Sequence, residues 1–109
     1  MRLTKPLERV LRVFLADPAA VRYGYDLMKA AGLASGTLYP MLARVEADGL
    51  VVSDWEVRAE GAGGRPPRRY YRLTGDGVLV ARQELARAAA ADGRAGGGFR
   101  PVVAGGGPA

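Results

Sequence analysis

Histidine and cysteine are both absent from the 109 residues. That removes the commonest general base, every Ser-His or Cys-His nucleophile pair, disulfides and thiolate metal sites. Neither Gly-x-x-x-x-Gly-Lys nor Gly-x-Gly-x-x-Gly occurs to cradle a phosphate or a dinucleotide. Asp54 and Glu56 lie two apart on a predicted strand, where a solvated face is expected rather than a site for a hard metal. The chain is therefore expected not to be an enzyme, with no catalytic residues, no cofactor and no metal.

The chemistry that the side chains do offer is anion binding. Lys plus Arg number 16 against 11 Asp plus Glu, for a net charge of +5. Fourteen of the sixteen are Arg, whose planar fork suits phosphate and guanine. Between Arg58 and Arg72 five Arg stand against one Glu, so the charge is concentrated. Positive charge that only kept an edge hairpin soluble would need neither Arg in preference to Lys nor a Gly/Pro tip flanked by Arg65 and Arg68. Nucleic acid is the expected partner. A second set of candidates lies upstream, where Ser35, Gly36, Thr37, Tyr39, Pro40 and Arg44 offer hydroxyls, a phenol and one guanidinium on the outward side of a helix.

That helix follows from Leu38, Met41, Leu42 and Val45, spaced to share one face. Gly49 supplies its left-handed stop, and Ser35 or Thr37 can cap its start. Pro40 costs no hydrogen bond if Thr37 is the cap, whereas a start at Ser35 loses the bond to Gly36. Two helices precede it. Thr4 and Pro6 open the first, with Leu7, Val10, Leu11, Phe14 and Leu15 at helical spacing until Asp17-Pro18. Residues 17–23 read as a linker, and a second helix runs from about Gly24 to Ala31, ended by Gly32. Only Leu33 and Ala34 then intervene, which makes a tight helix-turn-helix.

Residues 50–58 read as a strand with Val51, Ser53, Trp55 and Val57 on one side. After a Gly/Ala/Pro loop over 59–67, residues 69–73 form a second strand with Tyr71 and Leu73 inward, giving a long-tipped hairpin. Thr74 caps a fourth helix with Asp76 near its positive end. Its stripe of Val78, Ala81, Leu85, Ala88 and Ala89 can pack on its own domain or on a twin helix. From residue 93 the composition turns to Gly, Ala and Pro, and residues 93–109 are expected to be a disordered tail after a domain spanning 1–92. The N-terminus is unlike a signal peptide, and no apolar run approaches the ~20 residues of a membrane span, so a cytoplasmic location is expected.

Particular words in this order resemble the PadR-like transcriptional regulators. They are Tyr23-Gly24-Tyr25-Asp26-Leu27, then Gly36-Thr37-Leu38-Tyr39-Pro40-Met41-Leu42, Arg44-Val45-Glu46 and Asp48-Gly49-Leu50. Gly64 to Thr74 looks like the family's wing and the strand entering its fourth helix, with one Pro inserted. The resemblance covers about Thr4 to Ala91. Only eight residues, 28–35, separate the first two words, fewer than in many relatives.

The resemblance implies an α+β, mainly α, winged helix-turn-helix with a three-helix core, a two-stranded wing and a C-terminal dimerisation helix. It implies a dimeric repressor on a pseudo-palindromic operator in double-stranded DNA. The chain looks like the small type of the family, without a C-terminal helical domain. Dimerisation then falls to the first and fourth helices, at Leu7, Leu11, Val78, Ala81, Leu85, Ala88 and Ala89, with any small-molecule or protein effector in the dimer groove or on a partner. For DNA, Thr37 and Pro40 would lie near base edges, and Arg44 near a guanine or a phosphate. Ser35, Tyr39 and Tyr25 would fix register on the backbone, and Arg65, Arg68 and Arg69 of the wing would reach phosphates or the minor groove. Two rival readings stay open: an adaptor that binds an acidic protein partner, and a dimer in which Trp55 or Phe14 lines a groove for a flat molecule.

Overall fold

The computed structural model describes residues 2–57, 64 and 66–96. Thr4 caps the first helix, its hydroxyl accepting the Leu7 amide at 3.2 Å. Pro6 lies in the first turn of this helix, α1 (Lys5–Ala16), where a missing N–H costs no helical bond. The last turn of α1 carries no basic residue of its own. Arg22 supplies one from outside, its Nη2 donating to the Val13 carbonyl at 3.0 Å, among the last carbonyls that the helix leaves unpaired.

Arg22 belongs to a strand that the sequence does not announce. β1 (Arg22–Tyr23) is two residues long, within the segment expected to be a linker. It pairs antiparallel with β3 (Arg69–Leu73), Arg22 opposite Tyr71 and Tyr23 opposite Tyr70. β2 (Val51–Trp55) pairs on the other side of β3, from Val51 opposite Leu73 to Trp55 opposite Arg69. The sheet is therefore three-stranded, in the order β1-β3-β2, and the expectation of two strands is corrected. Two residues are too few to show the alternation by which a strand is recognised.

Two left-handed glycines set the turns. Gly32 (φ 67) closes α2 (Gly24–Ala31), with Gly32 and Leu33 amides donating to the Lys29 and Met28 carbonyls at 3.3 and 3.0 Å. Gly49 (φ 80) follows α3 (Ser35–Ala47), with Gly49 and Leu50 amides donating to Glu46 and Val45 at 3.0 and 2.9 Å. Each pair of bonds satisfies carbonyls at a helix end and reverses the chain within two residues. Leu50 is thereby turned into the core, which is why β2 begins at Val51 and not at residue 50. The strand is also shorter at its far end than expected, and Val57 is 97% exposed.

Thr74 joins the second reversal to α4 (Gly75–Gly96). Its hydroxyl donates to the Gly49 carbonyl at 2.7 Å and accepts the Gly77 amide at 2.9 Å, while its own amide donates to the Leu50 carbonyl at 3.0 Å. Gly77 is needed for this approach, because a Cβ there would overlap the Leu50 carbonyl oxygen. α4 continues through Gly96, past the boundary at 92 expected from composition, and residues 97–109 lie outside the described residues. The run Ala88 to Ala91 favours helix by propensity, and Asp92 just beyond it pairs with Lys5 of α1 at 3.5 Å.

The core is apolar throughout, with no buried polar or charged residue among those described. Phe14, Leu11 and Val10 from α1 meet Leu27 from α2, Leu38 and Leu42 from α3 and Val51 from β2, all under 2% exposed. Phe14 therefore lines no groove. Leu7, Leu11 and Ala81, expected at a dimer contact, are also spent in this core. They are the side of α1 and α4 on which the protomer closes on itself. Val78, Leu85 and Ala88 are half-buried, Ala89 is exposed, and the neighbouring Leu79 is 61% exposed. No helix among the described residues is long and apolar enough to cross a membrane.

Candidate nucleic-acid interface

The helix expected to read DNA begins at Ser35 with Ala34 as its cap, and no side chain closes its first turn. Neither Ser35 nor Thr37 serves as the cap. Both residues are exposed instead, and with the Thr37 and Leu38 amides donating to the Ala34 carbonyl at 3.0 Å, the Ser35 and Gly36 amides are left for an outside acceptor. Pro40 stands inside the helix, so the bond to the Gly36 carbonyl is lost. An interior proline costs ~3 kcal/mol, but Leu38, Leu42 and Val45 are each at most 2% exposed and contribute roughly 1.5–3 kcal/mol apiece. Burial outweighs the proline, and α3 stays helical through it.

The outward face of α3 carries Ser35, Thr37, Tyr39, Pro40 and Arg44, all exposed. Arg44 enters none of the ion pairs among the described residues. Tyr39 does more than face outward. Its ring lies on the first residue of α2, where a Cβ on Gly24 would meet the phenol oxygen at 2.5 Å and a ring carbon at 2.8 Å. The two helices of the helix-turn-helix are thus set by a tyrosine against a glycine. Tyr25, one residue on, is 57% exposed, with the Lys29 ammonium 5.3 Å from its ring centre.

Two arginines lie beside these residues, Arg69 at the start of β3 and Arg68 just before it. The Arg68 guanidinium lies 3.9 Å from the Tyr23 ring centre and 3.5 Å from Glu56 Oε2. Glu56 also accepts the Tyr23 hydroxyl at 3.3 Å and the Arg68 amide at 3.2 Å, so the carboxylate fastens β1 to the root of the wing. The Arg69 guanidinium lies 5.1 Å from the Trp55 ring centre, and its Nη2 donates to Ser53 Oγ at 2.7 Å. Ser53 Oγ donates in turn to Glu46 Oε2 of α3 at 2.8 Å. Tyr71 is buried beneath, and that burial raises its phenol pKa against the opposing pull of Arg69.

These residues enclose one cleft of about 410 Å³, lined by Tyr23, Tyr25, Tyr39, Trp55, Arg68, Arg69 and Tyr71. It collects α2, α3 and all three strands. Trp55 is 54% exposed here, although alternation along β2 points it inward, because the sheet runs past the core by the last residue of the strand. Of the nine DNA candidates, Tyr25, Tyr39, Arg68 and Arg69 share the cleft, while Ser35, Thr37, Pro40 and Arg44 extend along α3 beside it. Arg65 lies outside the described residues. Glu46, Ser53, Glu56 and Tyr23 are not among the residues that the sequence marks for this interface. Ser53 carried a signal, since a polar residue on the inner side of a strand requires a partner.

The PadR-like transcriptional regulator family is matched by a family model over residues 15–85, from the end of α1 to the middle of α4. The chain belongs to this family. A PadR-like transcriptional regulator from Bacillus cereus superposes on it with a TM-score of 0.66 at 18% identity, over 87% of this chain and 91% of that one. The PcaV transcriptional regulator from Streptomyces coelicolor, in complex with its natural ligand, gives 0.65 at 22% identity, over 90% and 64%. A MarR family regulator from Silicibacter pomeroyi DSS-3 gives 0.59 at 24% identity, over 89% and 62%. The chain thus spans less than two thirds of the length of the last two. At these identities the likeness shows the winged-helix fold alone, and no curated protein matches. The chain is a winged helix of the PadR-like transcriptional regulator family.

Proposed function

We propose that this PadR-like chain is a cytoplasmic, sequence-specific repressor that acts as a homodimer on a pseudo-palindromic operator. The observation that carries the reading is the shared cleft, in which the exposed tyrosines of α2 and α3 and the wing arginines Arg68 and Arg69 face one side. A duplex laid on that side would receive the N-terminal half of α3 in its major groove and the wing on the adjoining backbone. Thr37 and Pro40 would meet base edges, Arg44 a guanine edge or a phosphate, and Ser35, Tyr25 and Tyr39 the backbone. The uncapped amides of α3 favour phosphate for the same reason.

Dimerisation would use Ala88, Ala89 and the exposed Leu79 of α4, together with the edges of Val78 and Leu85 that their packing against the protomer's own core leaves uncovered. A cleft of about 330 Å³ between these helices, lined by Leu3, Glu8, Arg87 and Ala91 among others, lies beside that surface. Any effector, small molecule or protein, would act in the dimer groove or through a partner.

Selection of bound sequences from random double-stranded DNA tests the reading. The expected result is an enriched site with two-fold symmetry, bound by a species that light scattering sizes as a dimer. Selection that enriches no sequence would overturn it.

A further inference from the structure

We propose that Glu46 and Ser53 are positioning residues for Arg69, so that the hold of the wing on DNA is set from the recognition helix. The proposal rests on the DNA-binding reading above. Three residues from three elements form one polar chain: Glu46 of α3, Ser53 of β2 and Arg69 of β3, with links of 2.8 and 2.7 Å. The direction of both bonds is fixed by chemistry. A carboxylate can only accept and a guanidinium can only donate, so the single proton of the Ser53 hydroxyl goes to Glu46 and its lone pairs face Arg69. Removing Glu46 would free that proton to turn toward Arg69 and release the guanidinium.

The sheet register explains why Arg69 is the arginine held in this way. Trp55 is directly opposite Arg69, and the ring lies against the guanidinium. Ser53 is two residues back on β2, at the diagonal position that a long side chain can reach. One of the five guanidinium N–H donors is spent on Ser53, leaving others for a phosphate. Arg68 differs, because its anchors are Glu56 and Tyr23. Neither belongs to α3. The two neighbouring arginines are thus held by different machinery, and only Arg69 is tied to the helix that reads bases.

Plain electrostatics makes the opposite prediction for Glu46. It is an anion close to a surface meant for DNA, and its removal should strengthen binding. Under the proposal Glu46→Ala weakens binding, since the aim of Arg69 is lost. Ser53→Ala is the cleaner variant because it changes no charge.

The experiment titrates the selected operator at several salt concentrations with wild type, Ser53→Ala, Glu46→Ala, Arg68→Ala, Arg69→Ala and the double variants Ser53→Ala/Arg69→Ala and Ser53→Ala/Arg68→Ala. Each single variant should lose affinity on the order of tenfold and lower the salt slope by about 0.9, the share of one phosphate. The double variant should equal Arg69→Ala alone, while Ser53→Ala combined with Arg68→Ala should show the product of the two losses. Tighter binding by Glu46→Ala, or an unchanged salt slope in Ser53→Ala, would overturn the proposal. Acrylamide quenching of Trp55, the only tryptophan, reads the free protein. Arg69→Ala should raise it, and Ser53→Ala should move it the same way. Unchanged quenching in Ser53→Ala refutes the relay even if no operator is found, so failure of the relay and failure of the DNA reading are told apart.

Discussion

Two glycines in the first turn of α4 should respond in opposite directions to the same substitution. In an exposed helix, Gly→Ala stabilises by roughly 0.5–1 kcal/mol, because alanine loses less backbone entropy. Gly75 meets that condition, since a Cβ there has nothing within 4 Å. At Gly77 the new Cβ would overlap the Leu50 carbonyl oxygen and stand 2.8 Å from its carbon. Backbone on both sides means that no side chain can swing away. The first turn of α4 must move off the Gly49-Leu50 reversal, and the bonds from Thr74 to Leu50 and Gly49, at 3.0 and 2.7 Å, are strained with it.

Overpacking of this kind costs about 1–3 kcal/mol, and each weakened hydrogen bond adds up to about 1 kcal/mol. Against a propensity gain of at most about 1 kcal/mol, Gly77→Ala should destabilise by roughly 1–3 kcal/mol. Gly75→Ala should be neutral or slightly stabilised. At about 4–8 °C per kcal/mol for a domain of this size, the two melting temperatures should differ by on the order of 10 °C. Thermal unfolding followed by circular dichroism measures this, at one fixed protein concentration so that any self-association contributes equally to both variants. Equal melting temperatures would refute the close approach between α4 and the α3 reversal.

Three further outcomes follow from single residues. Arg44→Ala should weaken binding to the selected operator by roughly 1–3 kcal/mol more than binding to random DNA if the guanidinium reads a base, and equal losses in paired titrations would make it a phosphate contact. Thr4→Ala removes the acceptor of the Leu7 amide and should cost about 1 kcal/mol in chemical denaturation, whereas Thr4→Ser should restore most of it. Glu8 has its carboxyl held below the ordinary 4.5, chiefly by the Arg12 hydrogen bond and also by Lys5. Its contribution to stability is therefore present above pH 4.5 and lost as pH falls through the lower folded value, so Glu8→Gln should lessen the acid sensitivity of the melting temperature below pH 4.5 and leave the slope near neutrality unchanged.

The fold was legible where local chemistry decided it. Thr4 as a cap, Gly32 and Gly49 as left-handed stops and Thr74 at the head of α4 each follow from one side chain, or from the lack of one. Where three-dimensional closure decided, the sequence was ambiguous. A stripe such as Leu7, Leu11 and Ala81 looks the same whether it covers a domain's own core or a twin, and here the core takes it. Ser35 could have capped α3, but Ala34 does, because the two-residue link from Gly32 starts the helix before the serine.

The candidate site shows the same division at finer grain. The exposed residues of α3 could be named from the helical period alone, and the wing from its arginines. What could not be read was how the arginines are held, since that depends on register. β2 and β3 are joined by a loop too long and too rich in glycine to fix their pairing. Only once Trp55 is opposite Arg69 and Ser53 opposite Tyr71 does Ser53 come within reach of both Arg69 and Glu46. A register shifted by one residue would turn Arg69 to the other face of the sheet, away from Trp55 and from the cleft. The charge pattern of the wing would be unchanged, yet its link to α3 would be gone. Pairing geometry, more than the number of arginines, therefore decides whether this wing acts with α3 or merely beside it.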